Sequence, residues 1–518
     1  SATVGEHRAR GGEVSATLPS DDARDAFRLD ASAYATDGVR LVRDPGRIDV
    51  PADLETSRAG FAWARRISEI TTLETSVRAW SEERGNGTPY QRNASEERSV
   101  SARLAGAPRD SAVSAWSVTA YAQDQDYRST FSGVNATRTA ETPASDQYAV
   151  PATAAGAAAQ LIFGEADADS ATTTFGVDAR HVDGQTRERF FFTGGGFARE
   201  RRAGGVQNSA GLFATHARPL APDLTLTTGA RLDAIRRADG FRRETVRATG
   251  VVLRDDAYAD RDDLALSPSA GLAWRATDTL TARAAAYSAY RSPTLNELYR
   301  PFRVGPVETR ANPALDPETL LGGELGLDYA APGARGGLRA TVFENALSDA
   351  IANVSLPAPA NTRERRNLDS TRVRGLELGG FWQPVPSLRL DADYLLSDAR
   401  VRSGGEDAAA LDGRRLAQVP RHTVTAGAAW QAAAALEFDL RARWVSSQFE
   451  DDLNNPALEL DAATRIDFSV RIDLAPRLRL VLAVENLFDA EIETSRTDSG
   501  VVGLAPPRLV RAELTYAW

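Results

Sequence analysis

The sequence predicts an all-β fold: a transmembrane antiparallel β-barrel of the 22-stranded type. Three observations predict it. Apolar residues recur with a period of two in segments of about 9–11 residues, the length a tilted strand needs to cross a bilayer. Short and long connections alternate along the chain. Tryptophans gather next to the short ones. The composition agrees: 518 residues, 42% apolar and 25% charged, with a net charge of −10. A length that suggests several soluble domains shows no linker between them, so a single large architecture is expected.

Several function classes drop out at once. Zero Cys removes disulfide frameworks, thiolate metal sites and cysteine nucleophiles. The basic residues are all Arg, so a phosphate loop that needs a Lys is excluded. The acidic balance argues against nucleic acid. No apolar run is long enough for a membrane helix, and a membrane is not thereby excluded, because barrel strands carry a much weaker signal per segment.

The strands justify themselves in turn. In Arg465–Leu474, Ile466, Phe468, Val470, Ile472 and Leu474 share one face, and Arg465, Asp467, Ser469, Arg471 and Asp473 the other. Leu436–Val445, Leu388–Leu396 and Leu224–Ala234 alternate in the same way. Arg and Asp facing each other on the polar side suit a wet or plugged lumen. Short turns are read at Ser68–Thr71, Ala221–Asp223, Ala276–Thr279, Pro384–Ser387 and Ala475–Arg477. Long loops are read at Asp37–Glu55, Arg84–Asn93, Tyr127–Val150, Ala238–Asp263, Pro293–Thr319, Leu356–Ser370, Arg402–Arg415 and Glu450–Leu460. Short periplasmic turns and long extracellular loops characterise outer-membrane barrels. Trp63, Trp116, Trp274, Trp382, Trp430 and Trp518 fall at the short-turn ends and read as a membrane-interface girdle. Val510, Ala512, Leu514, Tyr516 and Trp518 form a last outward row.

Counting back from Trp518 gives about 21 strands, whereas bacterial barrels have an even number. The first strand found, Gly12–Leu18, already descends. Residues 1–10 are therefore expected to be a remnant preceding the barrel, an outer loop or a truncated first strand, and residues 11–518 the barrel. The missing upward strand is expected upstream, or squeezed into Ala2–Arg10. Twenty-two strands is the number associated with plugged transporters.

Particular motifs resemble the barrel domain of TonB-dependent outer-membrane receptors. Arg84–Asn93 (RGNGTPYQRN) is similar to an early loop of that family. Tyr290–Tyr299 (YRSPTLNELY), Asn312–Thr319 (NPALDPET) and Glu324–Tyr329 (ELGLDY) resemble its mid-barrel signature. Phe343–Val354, Arg374–Trp382 and Val484–Asp489 (VENLFD) resemble later strands. The order and spacing are the family's from about residue 12 onward. The resemblance implies an N-terminal plug domain and a box that pairs with TonB. Neither is found, so the plug is expected to be missing or on another chain. Beside the resemblance, the residues have their own reasons. Pro293 ends strand pairing for want of an N–H, and Thr294 with Glu297 can cap a short helix. Gly375, Gly379 and Gly380 suggest a bend or close backbone approach.

Enzyme chemistry is not indicated: HExxH and GxSxG are absent, and His7, His181, His216 and His422 are scattered. No catalytic residue, cofactor or metal is expected. Acidic runs that could hold calcium (Asp255, Asp256, Asp260, Asp262 and Asp263; Glu450, Asp451 and Asp452) read as solvated loops. Residues 290–319 hold no His, which by the resemblance counts against haem. The candidate ligand-binding residues are in the outer loops: Arg199, Arg201, Arg202, Arg242, Arg243, Tyr299, Phe302, Arg303, Arg365 and Arg366. Arg363 shares the last of these loops. Guanidinium groups bind anions bidentately, so an anionic ferric siderophore would suit them. They could instead bridge lipopolysaccharide phosphates. The resulting expectation is a Gram-negative outer-membrane transporter importing a small scarce ligand with energy through TonB. Its partners would be the plug, TonB, and outer-membrane lipid and lipopolysaccharide. A passive porin-like channel or structural barrel is the alternative, and a soluble β-propeller a third.

Overall fold

In the computed structural model of the chain, residues 1–109, 111–164, 170–304, 307–356, 358–359 and 361–518 are described. Twenty-two antiparallel strands close into a ring. The first eleven are β1 (Ala2–Gly5), β2 (Arg10–Pro19), β3 (Asp25–Thr36), β4 (Leu54–Arg66), β5 (Thr71–Gly85), β6 (Arg92–Gly106), β7 (Val113–Val134), β8 (Glu141–Phe163), β9 (Thr172–Thr193), β10 (Gly196–Ala221) and β11 (Leu224–Val246). The ring continues through Arg261–Arg275, Leu280–Arg291, Glu318–Ala330, Gly336–Ser355, Thr362–Val385 and Leu388–Ser403. It ends with His422–Ala433, Leu436–Val445, Ala463–Ala475, Leu478–Glu485 and Leu509–Tyr516.

Closure decides between the two expectations for the first strand. The upward strand sought upstream is present as β1, whose Ala2, Thr3, Val4 and Gly5 pair with Leu514, Glu513, Ala512 and Arg511. On its other side β1 pairs with β2. Ala2–Gly5 thus form a short first strand of the ring, and residues 6–9 are the turn that leads to β2. Four residues are too few for periodicity to register, which is why the sequence count stops one short.

The alternation read from the sequence separates two environments. Leu264, Leu266, Leu321, Leu325, Leu327 and Val342 point outward and are exposed, as a surface turned to lipid requires. The opposite face carries ion pairs within strands and across them. Arg231 bonds Asp178 and Asp233 at 2.6 Å each, and Arg465 bonds Asp467 at 2.7 Å and Glu485 at 3.0 Å. The six tryptophans lie beside the short turns. Trp63 donates its indole N–H to Asp25 at 2.8 Å and Trp274 to Asp223 at 3.1 Å. Gly375 is a point of close approach: a Cβ there would meet the Phe343 ring at 2.2 Å.

Several expected loops are strand. β7 to β11 are 22–26 residues long, about twice what the bilayer needs. Most of Tyr127–Val150 and much of Ala238–Asp263 therefore stand above the membrane as tall hairpins, and Thr362–Val385 takes up most of the loop read at Leu356–Ser370. Outside lipid both faces of a hairpin are wet, so the apolar alternation disappears while the hydrogen-bond ladder persists.

If the outward row meets lipid, Leu325→Arg will destabilise the barrel by about 2–4 kcal/mol in urea titrations in lipid vesicles. The neighbouring Glu324→Gln, on the lumen face in a loose 3.9 Å pair with Arg283, will cost less than about 1 kcal/mol. Equal costs would contradict the assignment of faces.

Candidate functional site: an arginine and phenylalanine pocket at the outer mouth

The segment between Leu280–Arg291 and Glu318–Ala330 folds down onto the upper barrel wall. Its short helix, Leu295–Tyr299, starts at Thr294, whose hydroxyl accepts from the Glu297 N–H while the Glu297 carboxylate accepts from the Thr294 N–H. This is the capping box expected from the sequence. Leu298, Tyr299 and Leu315 are buried with Ala203 of β10. Tyr299 stacks on Tyr258 at 5.3 Å and lies where a Cβ on Gly240 would come within 2.5 Å of its ring. Burying each of these large side chains contributes about 1.5–3 kcal/mol.

Three arginines pin the segment. Arg365 is 6% exposed and donates to the carbonyls of Asn296 at 2.6 Å and Arg300 at 2.7 Å, at the negative end of the helix. Burial pushes its pKa down to about 10, so it is still cationic at neutral pH. Arg237 donates to the Leu315 carbonyl at 3.0 Å and pairs with Asp263. Arg261 bonds Asp316 at 2.6 Å. Asn312 of the NPAL motif adds a bond from its amide to the Arg365 carbonyl at 2.9 Å.

The pinned segment carries Arg300, Pro301, Phe302 and Arg303 to the wall formed by β8 to β11. Between them lies a cavity of about 460 Å³, within the range of small-molecule sites. Phe131, Phe190, Phe191, Phe192 and Phe302 line it together with Arg199, Arg201, Arg242, Arg300 and Arg303 and the acids Glu188, Glu244 and Glu308. Five Arg against three Glu leaves a net charge of +2. At its centre Arg201 sits directly between Glu188 of β9 and Glu244 of β11 in register. It bonds Glu188 at 2.9 Å, Glu244 at 2.8 Å and the Pro301 carbonyl at 2.9 Å. Arg300 also reaches Glu188 at 3.0 Å, and its Nε is buried without a hydrogen-bond partner. Burial alone would raise the pKa of Glu244, but Arg201 and Arg242 outweigh it and hold the carboxyl below its ordinary value of 4.5. Burial pushes the Arg242 guanidinium down, only partly offset by Glu244.

The pocket gathers five of the ten expected ligand residues: Arg199, Arg201, Arg242, Phe302 and Arg303. Tyr299 and Arg365 lie beneath it as buried supports. Arg202 points the other way along β10 and pairs with Glu200 at 3.3 Å. Arg243 pairs with Asp255 at 3.8 Å, and Arg366 with Glu364 at 2.8 Å. Arg242 and Arg243 part because successive strand residues face opposite ways, and a bulge near Asp239 and Gly240 makes Arg242 the inward one. Phe131, Phe190, Phe191 and Phe192 are not among the sequence candidates, although the run RFFFTGGGF is a visible signal for the last three. Glu188, Glu244 and Arg300 gave none.

Other sequence candidates resolve elsewhere. Asp256 pairs with Arg254, Asp260 with Arg236 and Asp263 with Arg237. Among the described residues no group of three acids or His is placed to hold a metal. His181 accepts or donates at Asn208, 2.7 Å away, on the face opposite Asp178, which bonds Arg231.

Replacing Arg201 with Met will destabilise docking of the 293–319 segment by about 3 kcal/mol. This is the low end for breaking a buried pair, since Arg300 and Arg242 still face the two acids. Gly240→Val will expel Tyr299. Both variants should speed proteolysis in this segment while the barrel stays folded. Because Glu244 and Glu297 both titrate below 4.5, their ionised forms stabilise docking at higher pH. Protection from proteolysis should hold from neutral pH down to that value and fall only below it.

Residues 36–487 match the family model described as TonB dependent receptor-like, beta-barrel. The iron-regulated outer membrane virulence protein of Vibrio cholerae serotype O1 is 28% identical over 242 residues, 44% of this chain and 36% of that protein. The match thus spans about a third of that relative's length. Solved structures of similar fold include three transport proteins. The ferric-catecholate import receptor Fiu of E. coli K12, in its closed form, has a TM-score of 0.78 at 14% identity over 100% of this chain and 81% of that one. The copper transporter OprC gives 0.81 at 16% identity, over 100% and 80%. The ferric yersiniabactin uptake receptor FyuA of Yersinia pestis gives 0.79 at 14%, over 100% and 79%. At these identities the likeness to the solved structures is one of fold. The family match and the closed 22-stranded ring establish that the chain belongs to the TonB-dependent receptors, outer-membrane transport receptors of Gram-negative bacteria.

Proposed function

We propose that this chain is the barrel of an active importer that takes up a small scarce ligand, a ferric siderophore or a close chemical equivalent, with energy supplied through TonB. The observation that carries the reading is the cationic pocket of about 460 Å³ walled by phenylalanines at the outer mouth. Its volume suits a small ligand and its excess of guanidinium suits an anion. A plug domain filling the lumen would be the element on which TonB pulls. The paired acids and arginines of the inner wall offer that plug a polar surface. The tryptophans at the short-turn ends would mark the periplasmic lipid interface, with lipopolysaccharide around the outer half. No step needs covalent chemistry.

The test is uptake of radioactive iron by a Gram-negative host that lacks its own siderophore receptors and expresses the full-length receptor. Iron supplied as a siderophore complex should accumulate several-fold above the empty-vector level. Accumulation should return to that level when tonB is deleted or the proton gradient collapsed. Uptake indifferent to both treatments would mean a passive channel instead.

A further inference from the structure

We propose that the pocket selects its ligand by a planar aromatic anion, a catecholate or an aromatic carboxylate, held face-on by phenylalanine and edge-on by arginine. The inference rests on the transport reading and narrows its ligand class.

The phenylalanines are the first argument. Phe131 and Phe191 are 42% and 55% exposed. Both lie near the tips of hairpins, far above the segment that faces lipid. Neither a core nor a bilayer accounts for their exposure. Phe191 also has φ of +61°, a left-handed conformation that is an outlier for a bulky residue. The pairing is interrupted at this residue without a change of register: Phe190 pairs with Arg199 and Phe192 with Phe197, leaving Phe191 unpaired. This break in alternation brings three consecutive rings, Phe190, Phe191 and Phe192, to the same cavity. A regular strand would turn the middle one away.

The cations are the second argument. Arg199 stacks on Phe191 at 4.8 Å and has no carboxylate partner among the described residues. Arg303 is matched by Glu308 at 3.2 Å, and Glu188 and Glu244 are shared among Arg201, Arg242 and Arg300. The positive excess therefore sits at Arg199 and within the Arg201 cluster, where the Arg300 Nε lacks an acceptor. An anionic oxygen between them would supply it, and a ring carrying that oxygen would lie against Phe191. A neutral aliphatic chelate satisfies neither group.

Equilibrium binding to the purified full-length receptor, with three iron(III) complexes, tests this: a tris-catecholate, citrate and a neutral tris-hydroxamate. The tris-catecholate should bind at least about tenfold tighter than citrate, and the hydroxamate weakest. Arg199→Gln should weaken both anions about tenfold. Phe191→Leu should weaken the catecholate about tenfold and leave citrate unchanged. Arg202→Gln, on the outward side of β10, should change none of them, and unaltered thermal melting will show that the variants fold. Hydroxamate binding as tight as catecholate, an unchanged catecholate affinity in Phe191→Leu, or binding of none of the three would each overturn the proposal. TonB-dependent uptake of a neutral hydroxamate would overturn it too, while leaving the transport reading intact.

Discussion

A hydrocarbon layer offers no hydrogen bonds, so every backbone N–H and C=O within it must be paired inside the protein. For a sheet this leaves one solution, a ring without edges. The whole chain is organised by that requirement, down to the four residues Ala2–Gly5 that join Leu509–Tyr516 to Arg10–Pro19. Once the ring is closed, the pleat sorts side chains into an outer apolar face and an inner polar one, and the strands become stiff supports for whatever stands above the membrane.

What stands above it is built by different physics. The β7 to β11 hairpins continue the ladder into water, where no apolar face is required. Their inner surfaces are free to carry Glu188, Arg201 and Glu244 in register across three strands. Buried ion pairs of this kind give geometry more than stability. Here they hold the Arg300–Arg303 segment against the wall, and Arg365, at the end of the Leu295–Tyr299 helix, locks the other side. The pocket exists because the segment is pinned on both flanks.

This division explains what could be read in advance. In the membrane, period-two patterning, tryptophan placement and turn spacing state the fold almost completely, because lipid punishes any departure. The Thr294–Glu297 capping box was equally legible, being local chemistry. The first strand escaped because four residues make no pattern. The long hairpins read as loops because water imposes no pattern on them. Half of the pocket escaped for a sharper reason. A bulge beside Gly240 turns Glu244 toward Arg201 and Arg243 away, and a left-handed Phe191 brings three neighbouring rings to one cavity. A one-residue bulge or a single left-handed residue is invisible to periodicity yet decides which side chains meet.

A structure of the full-length receptor with a ferric tris-catecholate bound tests the central claim most directly. The account predicts a catechol ring stacked on Phe191, its oxygens within hydrogen-bond distance of Arg199 and Arg300, and the 293–319 segment still docked. A ligand seated elsewhere, with this pocket filled only by water, would contradict it.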